Sequence, residues 1–183
     1  DCSDVISSYR IGYNFLYFGH SPDLISVLDG GLQKWLKERK PTSKETVQFK
    51  KSNYIAEENS DLVLNKDQII KNISENKFEL IDARSKERFL GIQPEPRKEL
   101  RSGNIKGSKN LPFLELINKT DRTFKNKNEL IKVFNNYKID ISKNLAFTCG
   151  SGITACVLGL ANSIISGKKP LIYDGSWAEY GLK

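Results

Sequence analysis

The sequence predicts an α/β fold, an open parallel sheet with helices on both faces. Short apolar runs at residues 78–82, 145–147 and 171–173 have the length and composition of buried strands. Helical patterns lie between these runs along the chain. Strands that alternate with helices are typical of a parallel sheet covered on both sides. Ligands of such sheets bind beyond the carboxyl ends of the strands, and candidate residues are therefore sought there.

The remaining elements are predicted from apolar spacing and from residues that begin or end helices. Asn65 is a typical N-cap, and Gly19 is placed to end the first helix. A further short strand is predicted at 24–28. Helices are predicted at 8–18, 32–36, 65–73, 114–118 and 127–137, from 154 onward, and after 175.

The end of the chain repeats its beginning. In residues 24–36 a predicted strand is followed by Asp-Gly, four residues and Trp35, and in 171–180 a strand is followed by Asp-Gly, four residues and Tyr180. Self-similarity of this kind indicates duplicated units. We therefore predict that residues 1–40 are the closing part of a first domain, 41–60 a polar linker, and 61–183 a second domain.

Composition excludes several classes of function. The 183 residues carry a formal charge of +7, but the lysines are scattered and do not form the stripe typical of nucleic-acid binding. No apolar run is long enough to span a bilayer, and residues 1–10 lack the pattern of a secretory signal. Three cysteines without CxxC spacing favour neither disulfides nor zinc, so no metal or cofactor is predicted. A reducing compartment is expected, the cytoplasm or, in a eukaryote, the mitochondrial matrix.

Cys149 is the candidate nucleophile. It follows a predicted strand and precedes Gly150, Ser151, Gly152 and a helical pattern. The free N–H groups and positive dipole end at a helix N-terminus stabilise a thiolate. The alternative is an inert core cysteine, which is commoner. Two other residues are given structural roles: Cys156 lies inside the apolar helix and is predicted to be core, and His20 is predicted to be a surface turn residue.

Four segments together resemble the rhodanese family, and more narrowly its tandem-domain sulfurtransferases of the 3-mercaptopyruvate type. They are LIDARSKERFLGIQPEPR, SGNIKGSKNLPF, CGSGITA and YDGSWAEYG, in that order. The resemblance covers essentially the whole chain. It implies a rhodanese-like open parallel sheet, with 1–40 the end of a non-catalytic first domain and 61–183 the catalytic domain.

The resemblance also implies a mechanism. A loop cysteine, here Cys149, would take the outer sulfur of a donor and hold it as a persulfide. Ser151 would hydrogen-bond the substrate carbonyl or relay a proton, or else merely cap the helix. The persulfide would be surrounded by the backbone N–H groups of the loop, which belong to Gly150, Ser151, Gly152, Ile153 and Thr154.

The charge of the loop that follows Cys149 indicates which sulfur donor is used. Thiosulfate-type loops resemble C-R-K-G-V-T, whereas the loop here is uncharged and is similar to the mercaptopyruvate type. The carboxylate of mercaptopyruvate is best bound by an arginine, which can donate two hydrogen bonds to it. The resemblance implies that Arg88 and Arg97 supply it, while Arg84 serves structure near Asp82. The expected acceptor is a thiol, cyanide or a thioredoxin-like protein, and the expected partner is the rest of a first rhodanese domain.

Two departures and several alternatives accompany this interpretation. The family's G-H-I-P-G is G-N-I-K-G at 103–107, and the Asp and His with which a first domain faces the loop have no counterpart here. The alternatives are a thiosulfate:cyanide sulfurtransferase, a persulfide carrier and a regulatory rhodanese module. A phosphatase of related fold is excluded, because Ala155 stands where its C-x5-R motif needs arginine.

Overall fold

Five parallel strands form one sheet in the computed structural model, which describes residue 2 and residues 6–183. The order across the sheet is β1-β5-β4-β2-β3. The predicted α/β class and parallel sheet are therefore confirmed. The strands are β1 Val63–Leu64, β2 Glu79–Asp82, β3 Lys109–Asn110, β4 Leu145–Thr148 and β5 Ile172–Tyr173.

Seven α-helices connect or flank these strands within the described residues. Two of them begin with capping boxes, at Asn65 and at Asn126, as Asn at an N-cap favours. The segment predicted as a helix at 114–118 is a single 3-10 turn, Phe113–Leu116. The helices are α1 Ser8–Tyr17, α2 Gly31–Lys37, α3 Lys66–Glu75, α4 Lys86–Phe89, α5 Lys127–Asn136, α6 Ala155–Ser166 and α7 Ser176–Tyr180.

Alternation of side chains along the strands creates two apolar cores, one on each face of the sheet. Ile81 of β2 is in register with Phe147 of β4, and both pack with α1, α5 and α6. Their chain neighbours Leu80 and Ala146 belong to the other core, with side chains of α3 and α7. The prediction of helices on both faces is confirmed.

The N-terminal segment packs against the same core as α6. Tyr9 and Tyr13 of α1 are buried, and the Tyr13 hydroxyl donates a hydrogen bond of 2.6 Å to the carbonyl of Leu62. Residues 41–59 form neither helix nor strand. The domain boundaries at 40 and 60 stay a prediction. The stretch 1–10, considered above for a signal, includes positions 1 and 3–5, which lie outside the described residues.

The strand predicted at 24–28 is wrong. Residues 22–24 form a 3-10 turn, Ile25 is extended, and residues 25–28 pair with no strand of the described chain. Leu24 and Leu28 are exposed. An apolar run becomes a strand only when a neighbour accepts its ladder of hydrogen bonds, and this condition is not visible in the run itself. Conversely, β1 and β3 have two residues each, too few to produce a periodic pattern.

Leu130 of α5 is buried in the core, so shortening its side chain should strongly lower the stability of the fold. Leu130 is 0% exposed, whereas Leu114 is 57% exposed. Leu130→Ala should lower the free energy of unfolding by about 3 kcal/mol, since it removes buried methyl groups and leaves a cavity. Leu114→Ala, the matched control, should change it by less than about 0.5 kcal/mol. Urea denaturation measures both, and equal losses would contradict the assignment of this core.

Candidate active site

Cys149 is the first residue of the loop between β4 and α6, at the carboxyl end of the central strand. It is 2% exposed and lines a cavity of about 230 Å³. The cavity brings together all the predicted site residues except Gly152, which is buried but does not line it. The lining residues are Arg88, Glu95, Pro96, Arg97, Leu100, Cys149, Gly150, Ser151, Ile153 and Thr154.

The backbone of Cys149 is held by the start of α7. The Cys149 N–H donates to the Ser176 hydroxyl over 3.2 Å, and the Trp177 N–H donates to the Cys149 carbonyl over 3.0 Å. Ser176 in turn donates to the carbonyl of Tyr173 over 2.9 Å. Its φ of +50° is left-handed, which is unfavourable for serine and is maintained here by these bonds. Sequence patterns did not identify Ser176, since it lies 27 residues beyond Cys149.

The side of the loop that faces away from the cavity carries different contacts. The carbonyl of Gly152 accepts hydrogen bonds from Cys156 Sγ over 3.2 Å and from Arg10 Nη1 over 3.4 Å. Arg10 also forms an ion pair with Asp174. Burial raises the pKa of the Cys156 thiol to about 12, so this thiol stays protonated at neutral pH. Cys156 is buried, as predicted.

Arg84 lies at the centre of a buried network of charges. Its guanidinium donates over 2.7 Å to Asp82 and over 2.7 Å to Glu95, and all three side chains are 1% exposed. It also donates to the Gly103 carbonyl over 2.9 Å and lies 4.6 Å from the ring centre of Trp177. Burial acts to lower the pKa of Arg84, but the pair with Asp82 outweighs it and the pKa lies above its ordinary value. The structural role predicted for Arg84 is confirmed.

The two arginines predicted to bind substrate differ in how they are held. Arg88 donates over 2.5 Å to Glu95, and its guanidinium lies against Gly150, where a Cβ would come within 2.9 Å. Arg97 is exposed and has no ion-pair partner within residues 6–183. Glu95 was not predicted. Its position between two arginines in the segment R-F-L-G-I-Q-P-E-P-R was the available signal.

Ser151 is exposed and lines the cavity. The alternative that it caps the following helix is wrong, because α6 begins at Ala155 and has no side-chain cap. Asn104, which stands in place of the family's histidine, donates to the Phe89 carbonyl over 3.0 Å and so ties its loop to the end of α4. Although Asn104 replaces the family's histidine, its loop is therefore still hydrogen-bonded to the rest of the domain.

Neither a metal site nor a membrane span is found in the part of the chain that the structure describes. No group of three or more His, Cys, Asp or Glu side chains could hold a metal there. No described helix has the length and apolarity needed to cross a bilayer.

Glu95 should matter for stability as well as for the site. Glu95→Gln removes the charge that two arginines share, and the free energy of unfolding should fall by about 3 kcal/mol because Arg84 keeps only one buried partner. The matched control is Glu99→Gln, an exposed position in the same segment, where less than about 0.5 kcal/mol is expected. Urea denaturation of both variants is the measurement, and a loss in Glu95→Gln no larger than that in Glu99→Gln would contradict the network.

Comparison of sequences finds relatives with two related names. The chain is 38% identical over 183 residues to the thiosulfate sulfurtransferase of Mus musculus, covering 98% of this chain and 61% of the relative. It is 34% identical over 185 residues to the 3-mercaptopyruvate sulfurtransferase of Homo sapiens, covering 100% of this chain and 61% of the relative. The chain thus spans about three fifths of the length of these relatives.

Comparison of structures agrees. The 3-mercaptopyruvate sulfotransferase SseA of Escherichia coli superposes with a TM-score of 0.81 at 29% identity, over 97% of this chain and 64% of that one. The Tum1 protein of Saccharomyces cerevisiae superposes with a TM-score of 0.82 at 25% identity, over 96% and 62%. The predicted rhodanese fold is confirmed. The family model described as "Rhodanese-like domain" matches residues 65–183, which are more than half of the sequence. The chain therefore belongs to the rhodanese family.

Proposed function

We propose that the protein is a sulfurtransferase that moves sulfur from a small anionic donor to a thiol or cyanide through a persulfide on Cys149. The observation that carries this proposal is that Cys149 lies in a small cavity, which is also lined by Gly150, Ser151, Ile153 and Thr154 of its own loop and by Arg88 and Arg97. Relatives named thiosulfate sulfurtransferase and 3-mercaptopyruvate sulfurtransferase support the same reaction class.

The chemistry proceeds in two displacements. The Cys149 thiolate attacks the sulfur of the donor; with mercaptopyruvate, the carbon–sulfur bond breaks and the leaving enolate takes up a proton to become pyruvate. Ser151, at the cavity surface, is suited to hydrogen-bond the donor carbonyl or to pass on that proton. The acceptor then attacks the outer sulfur and releases the Cys149 thiolate. Oriented N–H groups stabilise each sulfur anion without a basic side chain in the loop.

The charges around the cavity favour mercaptopyruvate as the donor. Arg88 is neutralised by Glu95, so Arg97 is the only cavity-lining cation within the described residues that lacks an ion-pair partner. One uncompensated positive charge matches the single carboxylate of mercaptopyruvate better than it matches dianionic thiosulfate. The relatives do not discriminate, because both names occur at similar identity, 38% and 35%. Thiosulfate:cyanide sulfurtransferase is therefore the second candidate.

Several finer points belong to the proposal. A thioredoxin-like protein is a suitable acceptor for a sulfur held in an open cavity, and a reducing compartment such as the cytoplasm suits a reactive thiol. A persulfide carrier would differ from an enzyme only in lacking turnover, whereas regulatory rhodanese modules usually lack the loop cysteine that is present here as Cys149. Because the chain spans about three fifths of its relatives, the rest of a first rhodanese domain is the proposed partner of residues 1–40.

Cys149→Ser should abolish sulfur transfer and leave the fold intact, because a hydroxyl cannot form the persulfide. The control is Cys2→Ser, which replaces an exposed cysteine that does not line the cavity and should retain most activity. Activity is measured as thiocyanate or pyruvate formed, and the persulfide by intact mass after incubation with donor alone. Undiminished activity in Cys149→Ser would exclude the mechanism.

Arg97→Ala should raise KM for mercaptopyruvate by roughly 10-fold or more, the loss expected for one charge-assisted hydrogen bond. Arg88→Ala should act in the same direction, and both should affect thiosulfate less. Lys98→Ala is the control, an exposed cation beside Arg97 that does not line the cavity. Initial rates with each donor give the KM values. Equal effects on the two donors would argue against recognition of the carboxylate.

A further inference from the structure

The Gly152 carbonyl is held from behind by a residue that is distant in sequence. Arg10 of α1 lies 142 positions before Gly152, donates to its carbonyl over 3.4 Å, and forms an ion pair with Asp174 at the end of β5. The thiol of Cys156 donates to the same carbonyl over 3.2 Å. We call Arg10, Asp174 and Cys156 the rear clamp. None of the three lines the cavity that contains Cys149.

Peptide geometry connects the rear clamp with the cavity. The described chain has no cis peptide bond, so the Gly152 carbonyl and the Ile153 N–H point in opposite directions. A carbonyl fixed toward Arg10 therefore turns the next N–H toward the opposite side of the loop. Ile153 and Thr154 line the cavity on that side together with Cys149. Release of the carbonyl would allow this peptide to rotate and would misdirect its N–H.

The clamp also explains why position 152 is glycine. The φ of Gly152 is +77°, and a Cβ there would come within 2.7 Å of Arg10 Nη1 and 2.7 Å of Asp174 Oδ1. A larger residue would be strained and would also push the ion pair away from the loop.

We propose that Arg10 is a positioning residue for sulfur transfer, which with Asp174 fixes the Gly152 carbonyl and so keeps the loop N–H groups directed at the sulfur on Cys149. The inference rests on the proposed function, and it gives the N-terminal segment an indirect role in the active site. Arg10 does not touch the cavity, so it acts only through the loop.

Reactivity of Cys149 toward iodoacetamide across a range of pH reports the orientation of the loop independently of any donor. The exposed Cys2 is first replaced by serine. Cys149 lines the cavity, whereas the Cys156 thiol is bonded to the Gly152 carbonyl and burial raises its pKa to about 12, so the signal comes from Cys149. The charged and titratable groups around the loop are Arg10, Asp174, Cys156 and Tyr13 behind it and Arg88, Glu95 and Arg97 at the cavity, and every group except the mutated one is present in each variant.

Arg10→Gln should require higher pH for the same alkylation rate and should slow single-turnover sulfur transfer roughly 10- to 100-fold, the cost of a misplaced reacting group. Arg10→Lys, which keeps the charge, should recover part of both. The control is Lys34→Gln, which removes the ion pair between Lys34 of α2 and Glu38, just after that helix. This pair does not contact the loop, so both readouts should be unchanged.

A glycine pair separates displacement of the clamp from backbone strain. Gly152→Ala and Gly167→Ala both introduce a Cβ at positive φ, +77° and +71°, but a Cβ at Gly167 meets nothing within 4 Å. Both variants should lose stability, and only Gly152→Ala should alter the alkylation profile. If Arg10→Gln fails to fold, Arg10→Lys and this pair decide the question.

The outcomes distinguish the two proposals. An unchanged alkylation profile in folded Arg10→Gln, with persulfide still formed by the wild type, would overturn the role of Arg10 and leave the function standing. A wild type that forms no persulfide with either donor would overturn the function, whereas the alkylation comparison would still judge whether Arg10 orients the loop.

Discussion

The site depends on the buried ion pairs that the Arg84 guanidinium makes with Asp82 and Glu95. The guanidinium contacts Asp82 at the end of β2, Glu95 in the long loop and the ring of Trp177, and the backbone N–H of Trp177 donates to the Cys149 carbonyl. Burying such charges costs desolvation energy that their attraction only partly offsets, so the network adds more to geometry than to stability. Its effect is to bring three segments to one edge of the sheet.

The same network decides which cation meets a substrate. Glu95 is shared between Arg84, which is buried, and Arg88, which lies against Gly150. A guanidinium already paired with a carboxylate has less to gain from a second one, whereas Arg97 has no such partner within the described chain. Arg88 therefore shapes the wall of the cavity, and Arg97 is the group with charge available for a donor.

Sequence patterns predicted elements formed by contiguous residues and missed contacts between residues that are distant along the chain. The strand, glycine loop and helix around Cys149 are contiguous, so their order was predictable, as was the N-cap at Asn65. The contacts of Ser176 and Arg10 cross 27 and 142 residues and have no periodic signature. The error at 24–28 has a related cause, because strand pairing depends on a neighbour elsewhere in the chain.

The loop thus has two faces with different chemistry. Cys149, Gly150, Ser151, Ile153 and Thr154 line the cavity, whereas the Gly152 carbonyl meets Arg10 and the protonated thiol of Cys156. The two cysteines are seven residues apart and equally buried, but Cys149 lines the cavity with Arg88 and Arg97, whereas the thiol of Cys156 donates to the Gly152 carbonyl. Because Asp174 neutralises Arg10, the rear contact can orient the loop without adding net charge to it. In the proposed function, a loop without charged side chains of its own leaves the choice of donor to Arg97, which also lines the cavity.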